Sequence, residues 1–170
     1  MDRAGVVSIE LILDDDTDRL VRADWKSLAD AGHSSLAAHT AASNRPHITL
    51  LVRPTLDPLP FTEANAMLPL RVTLGEPIIF AHGDRGVLAR RVLPTDELRA
   101  LHRAVHTAAG PGQDAPHTSS DEWMPHVTLA RRLRLTALDD ALALLGGGHD
   151  AVGVALRRWD SASRTVTALD

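Results

Sequence analysis

The chain has 170 residues, a formal net charge of −4 and a pI near 6.1, which fits one domain over 1–170 with room for a real core. It lacks the basic excess that a duplex-DNA coat needs to displace counterions, yet a small anion or the end of a nucleic acid needs only a local positive pocket. Cysteine is absent, which removes disulfides, thiolate catalysis and Cys-based zinc sites, and aromatics are only 3%, so the core must come from Leu, Val, Ile and Ala.

Met1-Asp2-Arg3 leads into Val6 to Leu13, a run rich in β-branched residues that reads as a strand. Ser8 and Glu10 interrupt it, making it too short and too polar for a signal peptide or membrane span, so a cytoplasmic protein is expected. Asp14 to Asp18 suits a helix entry, because carboxylates favour the positive end of the helix dipole. Leu20, Val21, Trp25 and Leu28 recur near helical spacing, and Gly32 is the expected stop. Pro46 to Arg53 reads as a second strand. A Pro-rich stretch and a short helix over Thr62 to Met67 follow. Leu70 to Phe80 and Gly86 to Leu93 form a strand pair, and Thr95 caps a helix running to about Ala109. Gly110 to Ser120 is a loop, Pro125 to Leu133 a strand, and Ala137 to Leu145 a helix stopped by Gly146-Gly147-Gly148. Ala151 to Trp159 and Arg164 to Leu169 close the chain as a hairpin. The order suits a mixed α/β chain rather than a doubly wound sheet.

One short repeat carries the chemistry. Pro46-His47-Ile48-Thr49-Leu50 returns as Pro125-His126-Val127-Thr128-Leu129, with histidines 126 − 47 = 79 residues apart. A further copy by chance is on the order of one in a hundred, so a duplicated unit is the simple reading. Strand alternation puts His47 and Thr49 on one face with Ile48 and Leu50 on the other, and does the same for His126 and Thr128. If the halves are related by a pseudo-twofold, the two pairs can face each other across a groove. One imidazole can then take a proton from water or a ribose hydroxyl while the other gives one to the leaving oxygen, in either assignment. The threonine hydroxyls can donate to the non-bridging phosphate oxygens.

Arginines flank both motifs and fit an anionic substrate. On simple alternation Arg53 shares the face of Thr49, and Arg132 and Arg134 that of Thr128, unless the strand bulges first. Arg131 lies on the opposite parity, so a direct role for it requires such a bulge.

At these residues the chain resembles the 2H phosphoesterase superfamily, in its bacterial 2′-5′ RNA ligase-like branch, which is defined by two His-x-Thr/Ser motifs, one per lobe. Pro125-His126-Val127-Thr128-Leu129-Ala130-Arg131 is particularly similar to the second motif, and Ile9-Glu10-Leu11 before an acidic helix start is similar to the family's opening. The resemblance implies a bilobal α+β fold of duplicated strand–helix units, with two mainly antiparallel sheets around a central cleft. It also implies metal-independent hydrolysis of a 2′,3′-cyclic phosphate or a related nucleotide or RNA-end phosphodiester, with no cofactor. His47 and His126 would be the catalytic pair, and Thr49 and Thr128 the phosphate anchors. The alternatives within the fold are 2′-5′ ligase or nuclease activity, or a module that binds a nucleotide without turning it over. Candidate substrate contacts are Arg53, Arg131 and Arg132, with Trp123 and Phe80 as candidates for stacking a base. No metal, duplex DNA or membrane partner is expected, and a monomer suffices for a bilobal groove. His102 and His106 have the i, i+4 spacing of a metal pair, but lack a following Glu or an evident third ligand, and read as solvated helix residues.

Overall fold

The structure is a computed structural model that describes residues 5–169. Met1-Asp2-Arg3, the approach to the first strand, lies outside the described residues, as do Ala4 and Asp170. Strand β1 (Val7–Leu13) leads to helix α1 (Asp15–Asp30), strand β2 (His47–Arg53) and the short helix α2 (Thr62–Asn65). Strands β3 (Leu70–His82) and β4 (Arg85–Val92) precede helix α3 (Asp96–Ala109). Strand β5 (His126–Arg134), helix α4 (Leu138–Ala143) and strands β6 (His149–Asp160) and β7 (Thr165–Leu169) complete the fold, with 3₁₀ turns over Leu36–Ala38 and Leu135–Ala137.

Helices α1 and α3 start where side chains can satisfy their open backbone donors. Asp14 accepts from Thr17 N at 3.1 Å and from its hydroxyl at 2.7 Å, and also takes Val152 N at 2.8 Å, which ties the start of α1 to β6. Thr95 accepts from Leu98 N at 3.2 Å. Helix α1 buries Thr17, Val21, Trp25 and Leu28. Leu20, counted with the apolar face in the sequence, is instead exposed, and Thr17 takes its place one turn ahead of Val21. Helix α3 buries Leu98, Leu101 and Val105, each worth about 1.5–3 kcal/mol against leaving it in water.

Among the described residues all strand pairings are antiparallel, and they form one seven-stranded sheet in the order β2-β1-β6-β3-β4-β5, with β7 added along β6. The α+β class expected from the sequence is therefore present, but as a single sheet rather than two. The long strands explain the difference. The first residues of β3, Leu70 to Leu74, pair with the first residues of β6, His149 to Gly153. The rest of β3 runs on with β4, and the rest of β6 with β1. That seam hydrogen-bonds the two halves together. The motif strands β2 and β5 are the last strands in this order, yet residues of the two approach to Cα separations of 8 Å or less. The sheet is strongly curved, consistent with its twist and its bulges.

Candidate active site

The two motifs have the same local structure. Both begin half-buried, buried, half-buried, buried, buried: His47 to Leu51 and His126 to Ala130. The doubled buried position has a cause. In β2, Thr49 pairs with Glu10 and Leu51 with Ile9, so Leu50 is an extra residue; in β5, Thr128 pairs with Ala89 and Ala130 with Leu88, so Leu129 is extra. Each motif thus ends in a β-bulge directly after its threonine, and the bulge reverses the side-chain parity beyond it.

This settles where the flanking arginines go. Arg53, placed with Thr49 by simple alternation, turns to the helix side. It is buried there, with Nε 2.9 Å from Asp114 Oδ1 and Nη1 3.4 Å from the Ala109 carbonyl at the end of α3. Arg131, rather than Arg132, falls on the parity of Thr128. Arg132 has φ 56° at a second irregularity of the β4–β5 ladder, and its carbonyl accepts from Arg85 Nη1 at 3.1 Å. Arg131, Arg132 and Arg85 line a cavity of about 680 Å³ together with His33 and His39.

Backbone groups near the bulges find side-chain donors, as buried polar groups must. Trp123 Nε1 donates to the Thr49 carbonyl at 3.0 Å, and Trp25 Nε1 to the Thr128 carbonyl at 3.1 Å. The carbonyl of the extra residue Leu50 accepts from His106 Nε2 at 2.9 Å. Trp123 is also stacked on His102, at 4.0 Å between centroids and 14° between planes, so one face of its ring is covered. Phe80 lies 4.9 Å from the His126 ring and 6.1 Å from that of His117. His117 comes from the loop after α3, with φ 66°.

The imidazoles are held alike. His47 Nδ1 is 2.7 Å from the Arg45 carbonyl, and His126 Nδ1 is 2.7 Å from the Met124 carbonyl. A carbonyl only accepts, so Nδ1 carries the proton and Nε2 is the nitrogen left to exchange one. The proline between carbonyl and histidine in each repeat explains its presence, since it holds the preceding residue extended.

Beyond the motifs the halves differ. Buried Glu10 has Oε2 3.3 Å from His47 Nε2 and 2.8 Å from the Ser8 hydroxyl, while Oε1 accepts from Arg157 Nε at 2.7 Å. Arg157 is anchored in turn by donating to the Ser43 carbonyl at 2.9 Å. Burial alone raises the Glu10 carboxyl, but the charges of His47 and Arg157 and the hydrogen bonds from Ser8 and Arg157 outweigh it and hold it below the usual carboxylate range. His126 is pushed down from the ordinary imidazole value, chiefly by burial; the Met124 carbonyl opposes this, and the charges of His47 and His117 add to it. Glu10 was missed in the sequence although its signal was there: Ser8 and Glu10 share one parity in a strand otherwise made of Val, Ile and Leu.

His102 is buried rather than solvated, with Nε2 2.9 Å from the Thr118 carbonyl, and burial with the neighbouring His106 charge lowers it to about 4. Both histidines of the i, i+4 pair thus serve main-chain carbonyls. Among the described residues no group of three or more His, Asp or Glu side chains is arranged to hold a metal ion, and no helix is long and apolar enough to cross a membrane.

A family model described as the 2′-5′ RNA ligase superfamily matches residues 17–170, spanning both motifs. The chain belongs to this superfamily. Among solved structures the chain is similar to Usb1 of Kluyveromyces marxianus, which covers 97% of this chain and 96% of its own at 14% identity, with a TM-score of 0.47. Usb1 of the same organism with uridine monophosphate covers 98% and 97% at 13% identity, with a TM-score of 0.53, and shows a shared fold. No curated protein matches the chain in sequence.

Proposed function

We propose that the protein is a phosphodiesterase of the superfamily, acting on a 2′,3′-cyclic phosphate or a related small nucleotide or RNA-end phosphodiester, with His47 and His126 as its acid–base pair. The observation that carries this is the duplicated imidazole: two histidines on approaching strands, each with Nδ1 fixed on the carbonyl two residues back, with His47 Nε2 beside the Glu10 carboxylate. Water attacks phosphorus as one imidazole takes its proton. The bond from phosphorus to the 2′ or 3′ oxygen breaks, and the other imidazole gives that oxygen a proton. Each such group is typically worth about 10²–10⁴ in rate. Thr49 and Thr128 donate to the non-bridging oxygens, Arg131 adds positive charge on the parity of Thr128, and Phe80 offers a ring face beside His126 for a base. The Usb1 structure with uridine monophosphate is in keeping with a nucleotide in this cleft. The two halves work as one domain and need no partner chain.

The test is a substrate panel in the presence of EDTA: the four nucleoside 2′,3′-cyclic monophosphates, an oligoribonucleotide with a cyclic-phosphate end, and one with a 2′-5′ linkage, alongside thermal shift with each nucleotide. Formation of a 2′ or 3′ monophosphate is the expected result. Thermal stabilisation without turnover would replace the enzyme by a binding module, and joining of 2′-5′ ends without hydrolysis would make it a ligase.

A further inference from the structure

Each motif threonine has its carbonyl held by an indole from the other half of the chain. Trp25 of α1 donates from Nε1 to the Thr128 carbonyl at 3.1 Å, and Trp123, just ahead of β5, to the Thr49 carbonyl at 3.0 Å. The bonds cross: the first half serves the second motif and the second half the first. Both carbonyls stand where the β-bulge begins, between the threonine and the extra residue Leu129 or Leu50. Because β2 and β5 each have a ladder along one side only, donors for the other side must come from outside the sheet. The indoles are themselves fixed. Trp25 is buried, its own carbonyl accepts from the Ser35 hydroxyl at 2.6 Å, and Ser34 ties the same segment to the Arg131 carbonyl. Trp123 is stacked on His102, one turn before His106, whose Nε2 donates to the carbonyl of the extra residue Leu50 at 2.9 Å. Trp25 and His106 hold matching places on their helices, 25 − 14 = 11 and 106 − 95 = 11 residues past the capping side chains Asp14 and Thr95. Trp123 also has a link to the second motif, because the next residue, Met124, lends its carbonyl to His126 Nδ1. One stretch of backbone thus holds the threonine of one motif and the imidazole of the other.

We infer that Trp25 and Trp123 are positioning residues for the reaction: their crossed N–H bonds set the backbone of Thr128 and Thr49 and so aim each threonine hydroxyl into the cleft. The inference rests on the phosphodiesterase reading above and deepens it. The direction of a carbonyl fixes ψ of the threonine that carries it, and with it the point at which the strand gains its extra residue. Moving that point by one residue turns the threonine to the other face. The indoles act through the main chain and need no contact with the phosphate.

The test removes the N–H, with Trp25→Phe and Trp123→Phe, each combined in turn with Thr49→Val and Thr128→Val. Because Trp25 is buried, it is also replaced by 3-benzothienylalanine, which keeps the shape of the ring and puts sulfur in place of the N–H. Two readouts are taken: kcat/KM on uridine 2′,3′-cyclic phosphate, and the χ1 angle of each threonine from three-bond NMR couplings of its methyl carbon, without substrate. Each indole substitution lowers kcat/KM about tenfold, as expected for a carbonyl left without its donor. The interaction is crossed. Thr49→Val costs about tenfold in the parent and in the Trp25 variants but only about twofold in Trp123→Phe, and Thr128→Val shows the opposite pattern. The χ1 angle of Thr49 becomes averaged in Trp123→Phe, and that of Thr128 in the Trp25 variants, while the other threonine keeps one rotamer. Equal effects of either indole on both threonines, as a general loss of stability would give, would overturn the inference. So would a fall in kcat/KM with both χ1 angles unmoved. If the parent hydrolyses none of the panel, the phosphodiesterase reading fails by itself, and the χ1 angles still decide whether the indoles hold the threonines.

Discussion

An imidazole on a strand can present either nitrogen, and a two-histidine reaction needs a defined one from each ring. Here a carbonyl two residues back, held in place by an intervening proline, fixes Nδ1 at His47 and at His126 with equal distances of 2.7 Å. The rings differ in their surroundings instead. Burial, with the charges of His47 and His117, holds His126 below the ordinary imidazole value despite the Met124 carbonyl. An imidazole so placed stays neutral at a pH below its usual titration, and could serve as a base there. The acid limb of kcat/KM should accordingly have its midpoint under the ordinary histidine value of about 6.5, and His117→Gln should move that midpoint up by removing one cation from the neighbourhood. A profile from pH 4.5 to 8 on a cyclic mononucleotide checks both. An acid limb at or above the ordinary value, or one that moves down in the His117 variant, would contradict the surroundings described.

At the scale of elements, helix α3 holds a second histidine whose titration matters to folding. His102 is buried against Trp123 and donates to the Thr118 carbonyl, and it titrates at about 4. Between about 6.5 and 4 the unfolded chain binds a proton that the folded one refuses, so stability rises with pH through that window. The contribution is complete above about 6.5 and is lost as pH falls toward 4; its size is on the order of 3 kcal/mol. His102→Gln keeps a donor for the Thr118 carbonyl and removes the titration. Its urea midpoint should be somewhat lower at pH 7 but decline less steeply down to pH 4.5 than that of the parent. An equally steep decline would mean that His102 does not carry the effect. The sequence made the helices legible here because their signals are local: Asp14 and Thr95 as caps, and apolar residues at helical spacing. It misjudged His102 because burial depends on Trp123, which arrives from 21 residues further along the chain.

The whole molecule shows the same limit on a larger scale. The paired motifs, the element order and the duplicated plan could be read from residue spacing alone, since each is a local pattern repeated once. The single sheet could not, because it depends on β3 and β6 each pairing with two different partners along their length. Nor could the bulges after Thr49 and Thr128, which are defined by the partner strand and send Arg53 to Asp114 instead of the cleft. What the fold achieves is to bring the last strands of one curved sheet together, with Trp25 and Trp123 each bonded to the opposite motif. The central claim is that the two histidines then act as one unit on a phosphodiester. The most direct measurement follows hydrolysis of uridine 2′,3′-cyclic phosphate in EDTA by ³¹P NMR for the parent, His47→Ala, His126→Ala and the double variant, all with matched circular dichroism. Loss of about 10²–10⁴ in rate in each single variant, with little further loss in the double, is the predicted result, because groups that act together are not additive. Parent-like turnover in either single variant would contradict the account.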